Sequence, residues 1–148
     1  MKMNAIRLML ALAVALTSTV TNSNGQRPSD LNGTSWQLIK LIAPDETTHM
    51  PDEKSKYTIT FGRDGRVTAR VDCNRASSTW KSIKAGELQF GSWSRTTAKC
   101  DSGSLHDQIV NEGAAVRTYI IKGGHLFLSG MAAGGSYELE PLTNPKRR

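Results

Sequence analysis

The chain is poor in the residues from which most catalytic and metal sites are built. Two cysteines, three histidines, three tryptophans, three tyrosines and three phenylalanines are spread through 148 residues. His49, His106 and His125 stand at no metal-ligand spacing, and neither an HExxH segment nor paired CxxC motifs occur, so no zinc site can be read. There is no GxSxG elbow and no Walker or Rossmann glycine loop; "SGMAAGGS" lacks the lysine and the helix start that a phosphate cradle needs. A nucleophilic cysteine requires a base beside it, and the nearest histidine in sequence, His106 after Cys100, becomes useless if that thiol is oxidised. Asp101 and Asp107 read as charges at a helix start. The expectation is a protein with no cofactor, no metal and no catalytic residue.

Long apolar runs are also missing. The first residues, "MKMNAIRLMLALAVALTSTVTNSNGQ", carry Lys2 and Arg7, an apolar stretch over residues 8–16, and then small and polar residues. That is the layout of a secretory leader, assigned to residues 1–25, and it falls far short of the ~20 residues that a spanning helix needs. No cysteine follows the apolar stretch closely enough for a lipid anchor, since the first is Cys73. Without the leader about 125 residues remain, enough for one domain with its own core, assigned to residues 26–142. Removing Lys2 and Arg7 leaves 17 basic residues against 13 acidic ones. Three of the 17 lie in the tail "NPKRR", and residues 143–148 are read as a solvated basic end. Charge of mixed sign elsewhere, in an exported chain, argues against a nucleic-acid partner.

Cys73 and Cys100 are the only cysteines, and exported chains meet oxidising conditions, so a disulfide between them is expected. Closing that loop removes denatured-state entropy worth about 3.5 kcal/mol in the chain-entropy model.

Periodicity supplies the elements. Residues 35–42, "SWQLIKLI", alternate over their first half as a half-buried strand does, and residues 43–56, with Pro44 and Pro51, form a polar loop. "YTITFG" alternates Tyr57, Ile59 and Phe61 with threonines, and Asp64-Gly65 suits the turn into "VTARVDC". In that return strand Val67, Ala69, Val71 and Cys73 fall on one face. Asn74 is read as the strand's end, with Arg75 pairing to a nearby carboxylate. "ELQFG" reads as a short strand, "TYIIKGGHLFLSG" as a hairpin about Gly123-Gly124, and "SYELEPL" as the closing strand. The one helix spans about residues 104–118, capped by Ser104, with Leu105, Ile109 and Val116 on its apolar stripe. Short, mostly antiparallel strands with one late helix predict a single α+β domain.

"LNGTSWQL", "YTITFGRDGRV", "DCNR", "RTTAKC" and "VRTYIIKGGHLFL", in this order and spacing, resemble the META domain of bacterial envelope proteins, over about residues 31–142. Cys73-Asn74-Arg75 and the Thr-x-x-x-Cys pair Thr96 and Cys100 are the more specific parts. Ser78 and Trp80 stand where the family usually has glycine and tyrosine, and Gly113 where it often has leucine. The resemblance implies a small exported domain associated with heat or stress tolerance and, in some members, with secretion or virulence. The preferred reading is a non-enzymatic periplasmic or secreted protein that binds an envelope protein or polymer. Trp80, Trp93 and the loop over residues 43–56 are its expected contact surface. The alternative is a small cell-wall-directed hydrolase or hydrolase inhibitor, whose mark would be a pocket holding a carboxylate of raised pKa.

Export predicts that the protein isolated from its source carries no leader. Intact-mass measurement should find a chain that begins after residue 15; an unprocessed Met1 on protein in the cytoplasm contradicts export.

Overall fold

The computed structural model describes residues 30–131 and 135–143. The expected leader and all but Thr143 of the expected basic tail lie outside the described residues.

Ten strands and one helix follow in order: β1 (Thr34–Ile42), β2 (Thr48–His49), β3 (Tyr57–Phe61), β4 (Arg66–Val71), β5 (Asn74–Lys81), β6 (Gln89–Phe90), β7 (Ser94–Arg95), α1 (His106–Gly113), β8 (Val116–Lys122), β9 (His125–Gly130) and β10 (Ser136–Pro141). The hydrogen-bonded order is β6-β5-β4-β3-β1-β10-β9-β8, every pair antiparallel, with β2 on β1 and β7 on β5. The two ends of this path meet. Just before β6, the Leu88 N–H donates to the Arg117 carbonyl at 2.8 Å, and the Tyr119 N–H donates to the Gly86 carbonyl at 2.9 Å. The sheet thus curls into a nearly closed barrel, which removes most of its free edges.

This corrects the α+β expectation. The architecture is essentially all β, and the helix is eight residues long rather than the span 104–118. Gly113, Ala114 and Ala115 end it, and "VRTYIIK", rich in β-branched and aromatic residues, pairs along β9 instead of continuing the helical stripe. Val116, expected on that stripe, is the buried first residue of β8. Ser104 Oγ accepts from the His106 N–H at 3.1 Å, but Leu105 occupies the N-cap position and no side chain caps it.

Two local irregularities set which residues face inward. In β1 the register against β10 slips between Leu38 and Lys40, so Trp36, Leu38 and Leu41 all reach the core despite their uneven spacing. In β8 the same happens between Val116 and Thr118, so that Val116 and Tyr119 are both buried. Turn chemistry agrees with the residues. Gly123 and Gly124 both adopt positive φ in the two-residue β8–β9 turn, a conformation that costs glycine least.

The barrel interior is filled mainly from β1, β3, β4, β5, β8, β9 and β10. Phe61, Val67, Leu88 and Leu126 are completely buried, and burying each such side chain is worth about 1.5–3 kcal/mol. The Phe61 and Trp80 rings meet edge to face at 5.2 Å between centroids. Helix α1 packs Ile109 against this core, and the Leu105 N–H just before it donates to the Tyr57 hydroxyl at 3.1 Å.

A clasp, an apolar chamber and a basic outer face

The β4–β5 turn is where the most specific motif of the sequence lies. Asp72 takes a left-handed backbone with φ of 55°, and Val71 pairs with Asn74 across it. Asn74 therefore opens a strand and does not end one. The chain has already turned at Cys73, which is exposed and not on the apolar face of β4. Cys73 and Cys100 are bonded to each other, with Cα atoms 5.5 Å apart.

Beside the disulfide, Asn74 is 2% exposed and its amide is fully used. Nδ2 donates to the Ala98 carbonyl at 2.8 Å, while Oδ1 accepts from the Ala98 N–H and from the Thr96 hydroxyl, each at 2.8 Å. Nδ2 also lies 3.4 Å from both sulfurs. Thr96 Oγ1 accepts from the Arg75 N–H at 3.0 Å, and the Thr96 N–H donates back to the Arg75 carbonyl. The side-chain amide behaves as a strand backbone would. It carries the pairing of β7 with β5, at Ala76–Arg95 and Ser77–Ser94, onward to the disulfide. Asn74, Arg75, Thr96, Cys73 and Cys100 are thus one assembly; Trp80 and Trp93 belong elsewhere.

Trp80 is 7% exposed, which removes it from any contact surface. It faces inward because β5 alternates Asn74, Ala76, Ser78 and Trp80 toward the barrel, and its indole N–H donates to the Gly62 carbonyl at 3.1 Å. Trp93 is half-buried and tilted on Phe90 at 5.2 Å between ring centroids. The loop over residues 43–56 contains β2, which pairs with β1.

Under α1 an apolar chamber of about 180 Å³ opens, walled by Leu38, Ile59, Phe90, Trp93, Ile109 and Leu139 among others. Tyr137, 6% exposed, also lines it, and its hydroxyl has no hydrogen-bond partner among the described residues. Burial and, after it, the charge of Glu112 push that phenol well above its ordinary pKa, so it stays protonated. No local pattern in the sequence marks this chamber; its walls read only as core positions.

The outer surface of the same strands is different. Registers place Ser35, Thr60, Thr68, Ser77 and Ser94 directly opposite one another across β1, β3, β4, β5 and β7. With strands about 4.8 Å apart, this hydroxyl row runs about 19 Å. One step along lies the row Gln37, Thr58, Arg70 and Arg75. Arg95, from β7, joins Thr58, Arg70 and Arg75 in lining a shallow depression of about 800 Å³ that no carboxylate lines. Arg70 Nε donates to the Asp72 carbonyl at 3.0 Å. Among the described residues no ion pair joins Arg70, Arg75 or Arg95 to a carboxylate, so Arg75 lacks the acidic partner expected for it. Glu140, at the far end of the arginine row, is engaged by Lys54 at 3.0 Å and Gln37 at 2.8 Å. Like charges directly opposite on a sheet cost stability, and Arg70 faces Arg75 in that way.

Four carboxylates are held more acidic than usual. Lys54 holds Glu140 below its usual carboxylate range, Lys40 does so for Glu138, Lys56 for Asp52, and the Thr47 backbone N–H for Asp45. His49 lies in β2, His106 opens α1 and His125 opens β9. His106 Nδ1 lies 2.8 Å from Asp107, and His125 Nδ1 lies 2.8 Å from Glu138. No helix among the described residues is long and apolar enough to cross a membrane, and the disulfide fits an oxidising compartment.

The family model of the META domain matches residues 29–141, and the chain belongs to that family. Among solved structures, a protein from Burkholderia xenovorans determined by NMR is similar with a TM-score of 0.65 at 18% identity, the match covering 90% of this chain and 100% of that one. A DUF4847 family protein from Bacteroides vulgatus is similar with a TM-score of 0.55 at 11% identity, covering 76% of this chain and 94% of that one. At these identities the likeness is one of fold. No curated protein matches the chain.

If the disulfide is the outer lock of the clasp, thiol labelling of the native protein reports no free cysteine. Replacing Cys73 and Cys100 together by serine should lower unfolding stability by roughly 2–4 kcal/mol in urea titration. A loss below about 0.5 kcal/mol would show that the bond does not constrain the fold.

Proposed function

We propose that this META domain is a non-enzymatic envelope module, exported by its leader to the periplasm or beyond, that binds an anionic hydroxyl-rich polymer and supports the envelope under heat or other stress. The observation that carries the reading is the pairing of the hydroxyl row with Arg70, Arg75 and Arg95 on a surface lined by no carboxylate. Three guanidiniums without acidic partners form a site for carboxylate or phosphate groups, and arginine offers forked donors to either. The hydroxyls beside them add neutral donors and acceptors at the strand spacing, which suits a sugar chain lying across the strands. A catalytic alternative lacks support, because among the described residues the carboxylates with displaced pKa values, Asp45, Asp52, Glu138 and Glu140, are all shifted downward.

Polygalacturonate, a carboxylated sugar chain, is the direct probe, with neutral dextran as its control. The protein should bind the former with an affinity that falls steeply as salt rises, and ignore the latter. Changing Arg70, Arg75 and Arg95 together to Gln should weaken binding about tenfold or more, as three exposed charge contacts of up to ~1 kcal/mol each allow. Changing Arg63, Lys84 and Lys122 to Gln removes the same charge elsewhere and should leave affinity within about twofold. Equal losses in the two variants, or no binding of polygalacturonate, contradict the assignment.

A further inference from the structure

The interior chamber adjoins the outer face, with Arg70 and Arg95 lining both, but its wall is otherwise built mainly from apolar residues under α1. Its size matters first. A dry apolar cavity of about 150 Å³ accepts a benzene ring, and this one measures about 180 Å³. Two aromatic side chains, Phe90 and Trp93, form part of the wall, so a flat ring would find faces and edges to pack on.

A purely apolar occupant leaves one feature unexplained. The Tyr137 hydroxyl is buried in the chamber wall and unsatisfied, a state that costs free energy unless something partners it. It lies by the end of α1, where a β-carbon on Gly113 would stand 3.9 Å from it; the glycine leaves the approach open. Glu112, the next residue back along α1, has a buried Oε2 that also lacks a partner. That carboxylate sits over Gly135, two residues before Tyr137 on the chain, where a β-carbon would collide with it. Glu112 does not line the chamber, so the Tyr137 hydroxyl is the orphan that an occupant reaches.

We infer that the chamber is a binding site for a small cyclic alcohol or phenol, its ring against Phe90 and Trp93 and its hydroxyl accepting from Tyr137. A hydroxyl on the ring is a small group able to accept from Tyr137. A ligand of eight or nine heavy atoms fills a space of this order, and the polar end sets selectivity, because a site built to bond a hydroxyl discriminates against the analogue that lacks one.

The disulfide-bonded protein can be titrated with 4-ethylphenol and with ethylbenzene, which differ by the hydroxyl alone, while amide and side-chain shifts of Phe90, Ile109 and Leu139 are followed by NMR. Saturable shifts at these residues with 4-ethylphenol bound about tenfold tighter than ethylbenzene are expected. Tyr137→Phe removes only the unpartnered oxygen, so the variant should fold and melt no lower than the parent. In it the two ligands should bind alike. Ala76→Leu, which fills the chamber from its wall, should abolish both. The inference is overturned if neither ligand shifts the chamber residues at saturating concentration, or if the preference for 4-ethylphenol survives in Tyr137→Phe.

Discussion

The three hydrogen bonds of the Asn74 side-chain amide hold the rest of the arrangement in place. A buried amide with every lone pair and proton used contributes about 1 kcal/mol for each bond made and loses more if one partner is withdrawn. Here the bonds go to Thr96 and Ala98 on a segment that has almost no regular structure of its own. That segment leads directly from β7 to α1. Without the amide the segment keeps two ladder pairs, the two bonds between Thr96 and the Arg75 backbone, and the disulfide to hold it on β5. The covalent bond limits how far the segment can move, and the amide decides where it lies.

From that placement both candidate surfaces follow. Fixing residues 96–100 along the start of β5 brings Arg95 beside Arg75 on the outside, and it sets the entry of α1 over the barrel end on the inside. The helix is then secured by the bond from Leu105 to the Tyr57 hydroxyl and by Ile109 against the core. The period of two along β3, β4 and β5 does the remaining sorting. Ile59, Ala69 and Ala76 face the chamber, whereas Thr60, Thr68 and Ser77 face water. Small residues at Ala69 and Ala76 leave space in the interior that larger ones would fill.

Much of the barrel is legible from local pattern. β3, β4, β8 and β9 show alternation bounded by glycine turns, and the odd phase of "SWQLIKLI" is the mark of the bulge after Leu38. β5 is not legible because its inward residues are Asn74, Ala76, Ser78 and Trp80, only one of them a large hydrophobe. Reading that stretch as a strand end put Trp80 on the surface and made Asn74 a terminator, when closure of the sheet requires an eight-residue strand there. The helix is overextended in the sequence reading because "AAVRTY" tolerates helical spacing, and only pairing with β9 decides otherwise. The disulfide needed no geometry, since two cysteines admit one pair. The rows of hydroxyls and arginines depend on register across five strands, which no single segment contains.

The amide of Asn74 is the fastening of residues 94–113, and native-state hydrogen exchange of Asn74→Ala tests that most directly. Loss of three bonds at about 1 kcal/mol each predicts amide exchange about 100-fold faster at Thr96, Ala98 and Ile109, with Leu41, Leu126 and Phe127, which do not line the chamber, changed by less than about threefold. Uniform acceleration across all six amides, or none at Thr96 and Ala98, would contradict it.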